Sequence, residues 1–276
     1  MDQWEQYFAA NKSSWNKRTA VHKASAFYDQ ESFKKGKSSL NSIERKDLGE
    51  VSGKTLLHLQ CHFGQDTMSW EREGAIVTGV DISEEAIALA RQTAAELNLK
   101  AQFICANIYD LDDPAKAVNG DFPKPTSFDI VFTSYGTIGW LPNLDKWAAI
   151  VARYLKPGGI FYIADFHPVL WMMDNNFEKI GYDYFNTVVI EEETSGTYTD
   201  RDAPIRSKEY SWNHPFSEII TALLQNGLTI TQFDEYPFSP YNCFNNLEQG
   251  PDGMWRIKGM QERLPMMYAI SAEKTK

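Results

Sequence analysis

Asp81 is the residue with the clearest chemical reading. It follows the apolar run Ala75 to Val80 (AIVTGV), where a carboxylate can accept hydrogen bonds from the two hydroxyls of a ribose. Upstream stands the turn Gln60-Cys61-His62-Phe63-Gly64, which offers backbone groups to the same ligand. Two elements must position these groups. Leu56, Leu57 and Leu59 form a short apolar run suited to a strand buried on both faces. The spacing then predicts a helix from Gln65 to about Glu73, stopped by Gly74, and a second strand over 75–80. Strand, tight turn, helix, strand and acid make half of a nucleotide-binding α/β unit, whose ligands sit beyond the carboxyl ends of the strands.

The rest of the chain supplies the other elements of such a sheet. Ser83 is a candidate cap for a helix with Ile87, Ala90, Ala94 and Leu97 on one face, followed by a strand at 101–105. Phe128 to Thr133 reads as a fourth strand and Ile160 to Ala164 as a fifth, with a helix from Asn143 to Leu155 between them. Residues 166–213 break the pattern. Val188 to Glu193 and Ser207 to Trp212 predict an inserted antiparallel ribbon. A helix opening at Pro215, a strand from Leu228 to Glu235, a long loop over 237–264 and a strand from Pro265 to Ala272 complete the chain. Residues 1–50 are rich in aromatics and read as a helical segment, either packed on residues 51–276 or closing over them as a lid.

Composition limits the partners. A formal charge of -10 leaves no cationic excess for nucleic acid or an anionic membrane. The 3 cysteines are widely separated and odd in number, which suggests reduced side chains in a cytoplasmic protein. No apolar run approaches a membrane span, the start of the chain lacks a signal-peptide pattern, and no residues have a convincing metal-ligand spacing.

The stretch Thr55 to Ser83 resembles motif I and the following acidic position of the class I S-adenosylmethionine-dependent methyltransferases. His58 stands at that family's acidic position, and Gln60 and His62 replace its first two glycines. The stretch is more similar to a subgroup whose turn reads His-Leu-Gln-Cys-His-Phe-Gly. Leu155-Lys156-Pro157-Gly158-Gly159 before an apolar strand is a second family mark. The resemblance implies an α/β fold, a Rossmann-like doubly wound sheet of seven strands with the last antiparallel. It implies S-adenosyl-L-methionine as cofactor and a small-molecule methyl acceptor. Cofactor contacts are expected from Gln60, Cys61, His62, Phe63, Gly64, Asp81, Ile82, Asn107, Ile108 and Ser134, with Asn107 and Ile108 at the adenine. A non-glycine residue at 60 or 62 must hold the turn without easy access to positive φ.

Methyl transfer from a sulfonium needs acceptor, methyl and sulfur in line, and some acceptors also need a base. Tyr135 lies just beyond the fourth strand, Asp165, Phe166 and His167 beyond the fifth, and His214 before the helix that follows the insertion. His167 is the first candidate for base or orienting group, His214 the second, and Tyr135 a third. Both histidines precede a proline, so turn and helix-start roles stay open. Trp140, Trp171, Tyr182, Tyr184, Tyr198, Tyr210, Trp212 and Tyr241 are candidates for an aromatic acceptor chamber, with packing of the insertion as the plainer role. Two other readings remain: a cofactor-binding protein without transfer activity, and an NAD-dependent oxidoreductase, which lacks support because the alternate-glycine phosphate fingerprint is absent.

Overall fold

The computed structural model describes residues 3–117, 122–185 and 188–275. Its helices are α1 (Gln3–Ala24), α2 (Gln30–Lys34), α3 (Ser42–Leu48), α4 (Gln65–Arg72), α5 (Glu84–Glu96), α6 (Leu144–Tyr154) and α7 (Phe216–Gln225). Its strands are β1 (Thr55–Leu59), β2 (Ile76–Asp81), β3 (Gln102–Cys105), β4 (Phe128–Ser134), β5 (Leu155–Phe166), β6 (Ile190–Ser195), β7 (Arg206–Ser211), β8 (Leu228–Tyr236), β9 (Leu247–Gln249), β10 (Trp255–Ile257) and β11 (Met267–Lys274). Seven strands form one sheet in the order β3-β2-β1-β4-β5-β11-β8. β1 runs parallel to β2 and β4, whereas β11 is antiparallel to both β5 and β8.

Strand alternation splits the core into two layers. Leu57, Leu59, Val131, Phe161 and Ile163 face α6 and α7, where Trp147, Val151, Ile219 and Leu223 are buried against them. Leu56, Val77, Ile130, Phe132 and Tyr162 face the other way, onto Ile43 and Leu48 of α3, Trp70 of α4 and Ile257 of β10. Both faces of the central strands are therefore covered, as their continuous apolar runs demand. The chain reverses its winding between β1 and β4, which leaves a crevice at their carboxyl ends.

Three elements depart from the sequence reading. β5 begins at Leu155, not Ile160, because Phe128 already pairs with Leu155 and Ile130 with Ile160, so a bulge absorbs the Pro-Gly-Gly turn. Pairing with β11 carries the strand on at its other end, so Asp165 and Phe166 are its last residues and do not lie beyond it. The segment 237–264 is not a plain loop: β9 and β10 pair in it as a short antiparallel ribbon. The inserted ribbon forms with β6 shifted two residues later than expected, so Thr194 and Ser195 belong to the strand.

α1 closes the ribbon's free edge. The Asn11 amide donates to the Tyr210 carbonyl at 2.7 Å and accepts from the Tyr210 N–H at 2.9 Å, pairing with β7 as another strand would. Arg18 pairs with Glu209 at 2.5 Å, and Ser14 donates to the same carboxylate. Gly64 is the one glycine the turn cannot exchange. Its φ is 76°, and a Cβ there would run into the Phe103 ring. Gly64→Ala is expected to destabilise the protein by about 2 to 4 kcal/mol, read from urea denaturation, through backbone strain plus overpacking.

Candidate functional site

A cavity of about 760 Å³ opens at the carboxyl ends of β1, β2, β4 and β5. That lies in the upper part of the range of roughly 300–1,000 Å³ usual for small-molecule sites. The turn after β1 forms one wall. Cys61 N–H donates to Val80 O and Gly64 N–H to Cys61 O, both at 2.9 Å. Gln60 and His62 adopt φ of 58° and 51° despite their side chains. Each such residue costs about 1–2 kcal/mol, and named contacts offset it. His62 N–H donates to Asp81 Oδ2 at 2.8 Å, and Gln60 Nε2 donates to Thr137 O at 2.9 Å.

Ser83 N–H donates to Asp81 Oδ1 at 2.9 Å. Each Asp81 oxygen thus takes one of these backbone N–H groups, and the residue lines the cavity. A carboxylate oxygen has a second lone pair for a ligand hydroxyl. Burial pushes Asp81 up to about 6, against the pull of its backbone donors. Among the described residues Gln60 Oε1 is buried without a partner. Its amide orientation is fixed by the Nε2 bond, so the free atom is an acceptor. His58 is fixed between Thr67 Oγ1 at 2.8 Å and Ser134 Oγ at 3.4 Å, and burial holds it down at about 3, so it is neutral.

Asp66 is a further acid lining the cavity, and Glu44 lies buried behind Tyr135. Asp66, two residues past Gly64, accepts from Ser39 Oγ at 2.6 Å and from Ser134 Oγ at 3.1 Å. Glu44 of α3 is 0% exposed. It accepts from Asn41 N–H at 2.6 Å and from the Tyr135 hydroxyl at 2.5 Å. Burial, with the Asp66 charge nearby, pushes Glu44 up to about 7; burial also raises Asp66.

Every residue expected at the cofactor, from Gln60 through Ser134, lies in the cavity wall. Tyr135 and His214 line it too, as do Trp15 and Tyr28 from the N-terminal segment. His167 does not belong to the cavity wall. Its Nε2 donates to Glu235 at 2.8 Å and its Nδ1 accepts from Val169 N–H at 3.1 Å, so both nitrogens are engaged on the β8 side of the sheet. His214 is also doubly bonded, to Leu141 O at 2.8 Å and Glu218 Oε2 at 2.9 Å. Asn107 spends one oxygen lone pair on Tyr109 N–H, at 3.1 Å. Asp165 accepts from the N–H groups of Gly136, Thr137 and Ile138 at 2.5, 3.0 and 3.3 Å, which makes it a loop organiser.

Sequence reasoning missed Glu44, Asp66 and Arg18. Asp66 had a signal in its place in the first helical turn after Gly64. Glu44 had none, since it reads as an ordinary acid near a helix start.

The sheet order and the crevice at its switch point define the class I S-adenosylmethionine-dependent methyltransferase fold. Residues 56–159 match the family model of a methyltransferase domain. An S-adenosylmethionine-dependent methyltransferase of Mesorhizobium loti superposes with a TM-score of 0.54 at 18% identity, over 87% of this chain and 99% of that one. A demethylmenaquinone methyltransferase of Tropheryma whipplei is 30% identical over 45% of this chain and 46% of its own length. A ubiquinone biosynthesis O-methyltransferase of Vibrio atlanticus is 28% identical over 70% of this chain and 75% of its own. The chain spans about half the length of most of the curated relatives it matches.

The raised Glu44 makes a testable contribution to stability. An unfolded Glu titrates near its ordinary 4.5 and the folded one at about 7. Between those values the folded state holds the extra proton, so stability falls as pH rises, and the penalty is complete above about 7. Glu44→Gln removes that penalty. Its stability relative to wild type is expected to rise between pH 4.5 and 7, by on the order of 3 kcal/mol, in denaturation series at several pH values.

Proposed function

We propose that the protein binds S-adenosylmethionine in this cavity and transfers its methyl group to a small-molecule acceptor. The observation that carries the reading is Asp81: a buried carboxylate at the end of β2, tied by backbone donors and lining the cavity at the fold's switch point. The orphaned Gln60 Oε1 in the same wall fits a donor on the ligand. Asp81 would hold the ribose, Asn107 and the Ile108 N–H the adenine edge with Ile82 beside it, and the turn 60–64 with Ser134 the methionyl part. The bound cofactor supplies an electrophilic methyl group. The chain's own part is to hold the acceptor in line and exclude water, which the roof formed by α1 and the ribbon favours. Tyr135 lines the cavity and would offer its ring to an acceptor, its hydroxyl being given to Glu44.

Replacement of the two turn glycines does not argue for a binder without transfer, because Gln60 and His62 adopt the required positive φ. Among the described residues no helix is long and apolar enough to cross a membrane. With three free cysteines and a charge of -10, we read the protein as cytoplasmic and without a nucleic-acid partner.

Calorimetry with S-adenosylhomocysteine tests the cofactor. Asp81→Ala is expected to weaken binding by about 10- to 100-fold, the value of a hydrogen bond to a charged group. Unchanged affinity in a folded variant removes Asp81 from the site. Turnover is read as S-adenosylhomocysteine release from S-adenosylmethionine across a panel of small acceptors. Tight cofactor binding with no release on any acceptor would favour a binding protein without transfer activity.

A further inference from the structure

We infer that Asp66 of α4 is the counter-charge for the ammonium of the cofactor's methionyl group, taking over from an acid at position 58, and that Ser134 and His58 orient it. The inference rests on the methyl-transfer reading of the cavity and assigns a cofactor residue outside the turn 60–64.

The first argument is charge. The methionyl part of S-adenosylmethionine carries an ammonium, and an enclosed ammonium needs a partner of opposite sign. His58 stands where the family has its acid, but it is 2% exposed and both its nitrogens are engaged inside the protein. Six acids line the cavity among the described residues, and five are otherwise committed. Asp29 pairs with Lys37 and Glu209 with Arg18. Asp165 is spent on the loop 136–138, and Glu192 lies exposed on the ribbon. Asp81 stands at the ribose. Asp66 is left, and among the described residues its partners are two hydroxyls and no cation.

The second argument is position. β1 lies between β2 and β4, and Leu59 is level with Val80 and with Thr133. Asp81 and Ser134 each follow by one residue, so they stand level on the two sides of the turn after β1. Two strand spacings separate them, about 10 Å. That is comparable to the reach of an extended cofactor from its ribose hydroxyls to its amino nitrogen. Ser134 Oγ donates to Asp66 Oδ2 at 3.1 Å, which ties the acid to the β4 side, where the methionyl part is placed.

The third argument is the direction of the hydrogen bonds. The single Ser134 hydroxyl proton goes to Asp66, so His58 Nε2 donates to Ser134 Oγ at 3.4 Å and His58 Nδ1 accepts from Thr67 Oγ1 at 2.8 Å. Donors therefore run from His58 through Ser134 to Asp66. Ser39 Oγ donates to the other oxygen, Oδ1, at 2.6 Å. Each carboxylate oxygen holds one of these hydroxyls and keeps a lone pair for a ligand. The first turn of α4 also favours a negative charge at Asp66. Burial works against that charge, and a bound ammonium offsets the cost.

The test is calorimetry with S-adenosylhomocysteine and two analogues, one lacking its amino group and one lacking its carboxylate. Wild type is expected to bind the deamino analogue at least tenfold more weakly than S-adenosylhomocysteine. Asp66→Asn should weaken S-adenosylhomocysteine and the decarboxy analogue by about 10- to 100-fold, the value of a hydrogen bond between charged groups. The deamino analogue, with no ammonium to lose, should change by less than about threefold. Asp81→Ala should weaken all three alike. Asp66→Ser serves in the same comparison if the Asn variant does not fold. Equal wild-type binding of S-adenosylhomocysteine and the deamino analogue overturns the inference. So does an equal loss for all three ligands in Asp66→Asn, which would make Asp66 a structural residue. An unchanged affinity for all three overturns it as well, since Asp66 would then face something other than the cofactor. Failure of S-adenosylhomocysteine to bind the wild type sinks the methyl-transfer reading together with this inference, whereas binding without these differences sinks this inference alone.

Discussion

The carboxylate of Asp165 is the fixed point of the site. It stands one residue before the end of β5 and gathers the N–H groups of three successive residues, 136 to 138, plus the Thr137 hydroxyl. A short loop with this many donors turned inward would leave them unsatisfied without an anion. The folded loop then offers its carbonyls outward. Thr137 O receives the Gln60 amide, Gly136 O the Trp140 indole and Gly139 O the Trp212 N–H. One buried acid therefore sets the turn after β1, an aromatic wall and the root of the ribbon relative to each other.

Much of this was legible in the chain. The strand-turn-helix-strand-acid order around residues 55–83 located the crevice, because apolar runs and glycine stops are local signals. Asp81 stood out because its place at a strand end is local too. His167 misled as to place, and His214, which does reach the cavity wall, shares with it two engaged nitrogens, since a titratable type near a strand end carries no record of where its nitrogens point. Their partners Glu235 and Leu141 come from distant segments. The reverse holds for Glu44, which reads as a helix-start acid and is buried behind the cavity wall only because the end of β4 brings Tyr135 against α3. The bulge that lengthens β5 was hidden for the same reason: it depends on the register with β4.

The turn itself is built against local preference. Two side-chain-bearing residues occupy a region that glycine enters freely; His62 is held by a bond to the end of β2 and Gln60 by a bond to the loop after β4. Strain of this kind persists only where the surroundings over-determine the conformation. Here the surroundings are the same groups that line the cavity, so the shape of the wall and the conformation of the turn are set together.

The seam between α1 and β7 has a consequence for biosynthesis. Asn11 and Tyr210 are separated by 199 residues, and their mutual pair of bonds joins the two halves of the roof. Such a seam cannot form until most of the chain has left the ribosome, whereas β1, α4 and β2 meet as soon as they emerge. The floor is thus assembled early and the cover arrives last, so a nascent chain passes through a stage in which the crevice stands open to the solvent.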